Sequence, residues 1–337
     1  MLTPRAGPSH AALLPVETEG SRGTATVGGA PRLDSAHMRG ISVRSILNNF
    51  ELRQRVRPGT RARVRSVVER FGEATSRHRP LPDFLILGAQ KAGTTALYQS
   101  LCRHPGVSAA FTKEVHYFDL QPDRSDRWYR GHFPRRPQRA GSSKRFLTGE
   151  ATPYYLFHPS VPERVAEKVP DAKLIVLLRD PVRRAISHFY HELSLGYESR
   201  SFLRAIKEEP HVLEIEAQRI RQGLPPSYEH QHHTYVSRGV YAEQLERWMG
   251  WFSREQVLVV PAEGLHGDGG QTFGRVLSFL ELDAVRPAPT RKAHQRAYPQ
   301  PDDTVLDELR SRFREPNVEL REWLGPEAES FPWLHQT

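Results

Sequence analysis

The sequence predicts an α/β fold built on a doubly wound, mostly parallel sheet. Three observations carry that expectation. Phe84-Leu85-Ile86-Leu87 and Lys173-Leu174-Ile175-Val176-Leu177-Leu178 are short apolar runs, the pattern of strands buried on both faces. Each runs into a helix start, Gly93-Thr94-Thr95 after the first and Asp180-Pro181 after the second. Two further runs, Phe146-Leu147-Thr148-Gly149 and Val257-Leu258-Val259-Val260, alternate with helical patterns in the same way.

Residues 1–38 are rich in small and turn-forming residues and show no period, which reads as disorder. Residues 39–80 hold eleven Arg against three Glu, a local +8 within a net charge of +9. The basic balance therefore belongs to a leader, 1–80, expected to be disordered to partly helical with a break near Pro58-Gly59. Such a leader suits peripheral contact with anionic surfaces, and no specific nucleic-acid partner is expected. The folded domain is expected over 81–337, with order from Asp83. From Thr94, Leu97 and Leu101 share one helical face, and Pro105 ends that helix. After Pro181, the residues Ile186, Phe189, Tyr190 and Leu193 fall at i, i+3, i+4 and i+7, an apolar stripe. Residues 195–237 look irregular, a substrate-side insertion in which His230, His232 and His233 read as a polar loop rather than a metal site. Leu245, Trp248, Met249 and Phe252 mark a helix before the last strand.

The single cysteine, Cys102, excludes an intrachain disulfide and a cysteine-based zinc site. No apolar run reaches the roughly eighteen residues of a membrane span, and the N-terminus lacks the pattern of a secretory signal. A cytoplasmic protein is the expectation.

The segment Gly88-Ala89-Gln90-Lys91-Ala92-Gly93-Thr94-Thr95 joins a buried strand to a helix. Unpaired N–H groups and the helix dipole make such a junction an anion site. Gly93 permits close backbone approach, Thr94 and Thr95 supply hydroxyls, and Lys91 adds a full charge. A nucleotide kinase or P-loop hydrolase would need Gly, four residues, then Gly-Lys-Ser/Thr. Here Lys91 precedes the glycine by two positions, and the hydroxyl that would hold Mg²⁺ beside a lysine is missing. A transfer that needs no metal fits better. At the end of the second strand, Arg179 is followed eight residues later by Ser187, a pair able to grip a second phosphate.

Lys91-Ala92-Gly93-Thr94-Thr95 and Arg179-Asp180-Pro181 with Ser187 resemble the two donor-binding motifs of sulfotransferases that use 3′-phosphoadenosine 5′-phosphosulfate. The likeness is greatest to the sulfotransferase domains of heparan sulfate modifying enzymes. Lys113-Glu114-Val115-His116-Tyr117-Phe118-Asp119 looks like their catalytic acidic segment, and Gly149-Glu150-Ala151-Thr152-Pro153-Tyr154-Tyr155 their Glu-Lys-Thr-Pro-x-Tyr segment, with Ala151 in place of the lysine. Gln295-Arg296-Ala297-Tyr298-Pro299 resembles the late loop over the 3′-phosphate, with His294 and Gln295 where Lys-Gly would stand, and Phe313-Arg314-Glu315-Pro316-Asn317 the helix that follows; the paired C-terminal cysteines are absent.

The resemblance implies the P-loop-like sulfotransferase fold, transfer of a sulfuryl group to an acceptor hydroxyl or amine, and a saccharide acceptor; lipids, small alcohols and peptides are acceptors of related enzymes. Lys91 would stabilise charge on the bridging oxygen. Lys91, Ala92, Gly93, Thr94 and Thr95 would hold the 5′-phosphosulfate, and Arg179, Ser187, Gln295, Arg296, Ala297 and Tyr298 the 3′-phosphate side. Glu114 would be the general base, with His116 as its rival, and His116, Asp119 and Tyr154 would face the acceptor. A binding protein that kept the donor pocket without activity is disfavoured by the presence of both Lys91 and Glu114.

Overall fold

The computed structural model describes residues 58–135, 146–265, 270–285 and 298–335. Five strands form one all-parallel sheet: β1 (Phe84–Gly88), β2 (Val107–Ala109), β3 (Leu147–Ala151), β4 (Lys173–Leu178) and β5 (Val257–Pro261), in the order β2-β3-β1-β4-β5. The expected fold is the observed one. Every residue of β1 is buried, as are the last five of β4, which is why neither strand shows alternation. Phe84 of β1 faces Gly149 on one side and Lys173 on the other. A Cβ on Gly149 would lie 2.4 Å from the Phe84 carbonyl oxygen, so only glycine permits that register.

The order places β1 where the chain's excursions reverse, toward β3 and β2 on one side and β4 and β5 on the other. In parallel sheets the crevice beyond the carboxyl ends of such strands is where ligands bind. All five carboxyl ends share one edge, so the segments after Gly88, Ala109, Ala151 and Leu178 converge there.

Helices cover the sheet: α1 (Pro58–Ala74), α2 (Thr94–Leu101), α3 (Asp126–Gly131), α4 (Val161–Lys168), α5 (Pro181–Leu195), α6 (Phe202–Arg221), α7 (Tyr228–His232), α8 (Tyr241–Met249), α9 (Gln271–Phe279) and α10 (Asp303–Leu324). Leu97, Leu101, Leu245 and Trp248 are fully buried, as their spacing predicts. Asp180 caps α5 by accepting from the Val182 N–H at 2.9 Å, with Pro181 at the first helical position.

Three observations bear on the expectations, the second and third as corrections. A helix starts at Pro58, where the break is expected, and this α1, within the expected leader, packs on α3. A Cβ on Gly72 of α1 would lie 2.4 Å from the Gly131 oxygen of α3. Arg79 is buried and donates to the Phe133 carbonyl at 2.5 Å. Residues 1–57 lie outside the described residues. Gly72→Ala is expected to lower stability by about 1–3 kcal/mol, read as a fall in melting temperature, because rigid backbone opposes the new methyl.

The second observation, a correction, concerns 195–237, which is largely helical. Phe202, Ala205, Ile206, Glu209 and Glu216 of α6 are buried, so two carboxylates occupy the apolar stripe. Glu209 accepts from the Val236 and Ser237 N–H groups at 2.7 and 2.8 Å, and Glu216 from the Ser227 N–H at 2.8 Å. With α5 and α10, α6 encloses a second small core around Phe189, Phe202, Tyr235 and Phe313. The third concerns α5 itself. Its buried face carries Arg184, Ser187, His188, Phe189 and Glu192, while Leu193 of the expected stripe is exposed.

Candidate functional site

The donor loop leaves β1 and turns into α2 with Gly93 in the left-handed region, φ 98°, and Lys91 also at positive φ, 71°. The Gly93 carbonyl accepts from Ala96 and Leu97 at 2.9 and 3.1 Å, which starts the helix. The Ala89 N–H donates to the Leu177 carbonyl of β4 at 2.7 Å. Thr94 is buried; Thr95 is half-buried at the first turn. The two phosphate motifs meet directly: Arg179 Nη1 donates to the Lys91 carbonyl at 3.0 Å, and Tyr241 holds the Arg179 carbonyl at 2.8 Å.

Ser187 is buried on α5, two turns beyond Arg179. Tyr298 stacks on Tyr190 of the same helix, ring centres 5.3 Å apart and planes within 9°. That contact fixes one end of the late loop on α5. Gln295, Arg296 and Ala297 lie outside the described residues. The residues present therefore suit a nucleotide with two phosphate groups, one at the β1–α2 junction and one along α5.

The acidic segment follows β2. Glu114 and His116 both have positive φ, 61° and 57°, so their side chains are aimed by an uncommon backbone. Lys113 Nζ donates to Glu114 Oε1 at 2.6 Å; His116 Nε2 lies 3.6 Å from the other Glu114 oxygen, and Nδ1 lies 2.8 Å from Asp119 Oδ2. Asp119 is buried and also accepts from the Leu120 N–H at 2.6 Å. Crowding by the surrounding chain disfavours the charged forms of both, although the Glu114 side chain is itself 44% exposed, and their contacts win. Lys113 and His116 hold the Glu114 carboxyl well below the usual carboxylate range. Asp119 and Glu114 lift His116 to about 10. At neutral pH the cluster holds an ionised Glu114 and a protonated His116, which donates from Nδ1 to Asp119 and forms a longer ion pair with Glu114 through Nε2.

The surroundings of two residues named from the sequence, Glu150 and Tyr154, emerge only in the fold. Glu150, wholly buried at the end of β3, accepts from Tyr129 at 2.7 Å, Thr152 at 2.8 Å and Tyr155 at 3.3 Å. The Tyr155 oxygen in turn accepts from the Tyr117 N–H at 3.0 Å, so Glu150 braces the acidic segment from below. Burial raises the Glu150 carboxyl from 4.5 to about 7 against those donated bonds. The folded protein thus keeps a proton that the unfolded chain gives up, and this group's stability contribution is present below about pH 4.5 and lost as pH rises through about 7. Glu150→Gln is expected to flatten that decline, seen as a smaller loss of melting temperature than the parent's between about pH 5 and about pH 8.

The second residue is Tyr154, which was expected to face the acceptor. Its ring is buried and its oxygen lies 2.6 Å from His230 Nδ1. His230 is itself buried and stacked on Phe157, not part of a polar loop. His232 lies 2.8 Å from Glu192, and His233 bonds Glu229 and, at 2.8 Å, the Tyr197 carbonyl. The three histidines thus have separate partners. Among the described residues no group of three His, Cys, Asp or Glu side chains is arranged to share an ion, and no helix is long and apolar enough to cross a membrane.

Residues 81–300 match the family described as Sulfotransferase domain. Over 300 residues, 82% of its length, the chain is 30% identical to heparan sulfate glucosamine 3-O-sulfotransferase 6 of Mus musculus, covering 80% of that protein. Over 289 residues, 76% of its length, it is 29% identical to bifunctional heparan sulfate N-deacetylase/N-sulfotransferase 4 of Mus musculus, of which it spans 31%. Its fold is similar to the crystal structure of a sulfotransferase from Alicyclobacillus acidocaldarius, with TM-score 0.56 and 27% identity over 72% of this chain and 95% of that one.

Proposed function

The chain belongs to the sulfotransferase domain family, whose members use 3′-phosphoadenosine 5′-phosphosulfate, and we propose that it sulfates a hydroxyl or amine of a saccharide. When bound, the donor supplies the sulfuryl group and a nucleotide leaving group. The observation that carries the reading is one sheet edge bearing two halves of a transfer site. One half is the Lys91 loop, tied to Arg179. The other is an ionised carboxylate, Glu114, held by Lys113 and by His116, which Asp119 holds in turn.

Each half has a task. Lys91 stabilises negative charge where the leaving group departs. Thr94, Thr95 and the N–H groups at the start of α2 receive the 5′ side, and Arg179 and Ser187 the 3′-phosphate. Glu114 takes the acceptor proton. His116 is protonated near neutrality and has no lone pair for that task; it orients Glu114, and Asp119 behind it keeps it in the cationic form. The Glu114 side chain is 44% exposed, so an arriving acceptor displaces water from it and raises its proton affinity toward that of a working base.

The saccharide is supported by the names of the two relatives, one an O- and one an N-sulfotransferase. The test is incubation with sulfur-labelled donor and a panel of oligosaccharides, small alcohols and lipid extracts. Label on an oligosaccharide is the expected result; label confined to lipids or small alcohols overturns the saccharide reading, and no transfer to any acceptor overturns the activity.

A further inference from the structure

We propose that Arg238 is a positioning residue for Lys91, acting through Gln90. Arg238 lies in the single turn Ser237–Gly239 before α8 and is only 3% exposed. Its hydrogen bonds go to neutral oxygens. Nε donates to Thr234 Oγ1 at 2.8 Å, Nη2 to the His230 and Gln231 carbonyls at 3.0 and 2.7 Å, and Nη1 to Gln90 Oε1. The guanidinium also lies over the Tyr154 and Phe157 rings, 4.7 and 5.0 Å from their centres. Burying a charge without a bonded counter-charge is costly, so the arrangement needs a reason beyond packing.

The partners supply one. They belong to three separate stretches of chain: α7 with Thr234 just after it, the segment after β3, and the donor loop. Gln90 is the residue immediately before Lys91. The Lys91 carbonyl is already held by Arg179. The loop that presents the Lys91 ammonium is therefore gripped by two arginines, Arg179 on one side of the residue and Arg238 through Gln90 on the other. This fixes a backbone at positive φ that would otherwise relax. A planar fork can reach Gln90 and two carbonyls together, which a lysine cannot do.

The proposal rests on Lys91 being the charge stabiliser, and the test separates the two ideas. Gln90→Ala removes only the link. Its kcat is expected to fall about 10–10²-fold with the acceptor KM unchanged, alongside a modest fall in melting temperature from the unpaired Arg238 Nη1; the kcat loss at a temperature where the variant is fully folded is the readout, because a slightly misplaced lysine weakens transition-state contacts. Arg238→Lys keeps a cation over the rings and loses the fork; it is expected to lower kcat to a similar degree. The double variant should fall no further than Arg238→Lys alone, since that change already cuts the connection that Gln90→Ala removes. A Gln90→Ala enzyme with parental kcat, or losses that multiply in the double variant, overturns the proposal while leaving the sulfotransferase reading in place. If Lys91→Ala is itself fully active, the premise fails instead.

Discussion

Lys91→Ala is expected to lower kcat about 10²–10³-fold, the range found when one preorganised donor is removed from a developing negative charge. The loop should survive the change. Its shape comes from backbone contacts, the Ala89 N–H on Leu177, the Ala92 N–H on Ala89 and the Lys91 carbonyl on Arg179, none of which needs the lysine side chain. Alanine tolerates the positive φ about as well as lysine, so no new backbone strain enters. Melting temperature should hold, and binding of the spent nucleotide, measured by calorimetry, should weaken less than kcat falls. That split identifies a group whose charge matters most in the transition state. A variant that transfers labelled sulfate as fast as the parent would end the assignment.

The parts of this site that the sequence displayed are those whose chemistry is local. β1 and β4 are unbroken apolar runs, and each is followed within a few residues by the group it presents, Lys91 or Arg179. The parts it concealed depend on partners far away in the chain. Gln90 and Arg238 are 148 positions apart, and Tyr154 and His230 are 76 apart, so neither pair has a local signature. Helix α6 was hidden for another reason. Glu209 and Glu216 fill positions where periodicity demands apolar residues, and only the folded chain supplies the backbone N–H groups that satisfy them. On α5 the same effect misdirected the apolar stripe, because Arg184 and His188 face inward. Strand β2, three residues long, is too short for any pattern.

Glu114→Gln is expected to lower kcat/KM about 10²–10⁴-fold, the usual worth of a positioned base. Glutamine keeps the length of the side chain and an oxygen to accept from Lys113, so the segment held by Tyr155 should keep its conformation. The pH profile of the parent then decides between the two candidate bases. The Glu114 carboxyl is held well below the ordinary carboxylate range, so a Glu114-based reaction stays active as pH falls through about 5 and has no acid limb near the usual histidine value of about 6.5. On the alkaline side, His116 loses its proton near 10, its ion pair with Glu114 is lost, and the rate declines. A reaction with His116 as the base behaves in the opposite way. It must gain rate as pH climbs toward 10, because only then does the imidazole have a lone pair to offer. A rising alkaline limb together with an active Glu114→Gln enzyme would move the proton transfer to His116, whereas a falling limb with an inactive variant places it on Glu114 and makes His116, with Asp119 behind it, the cation that keeps the base ionised.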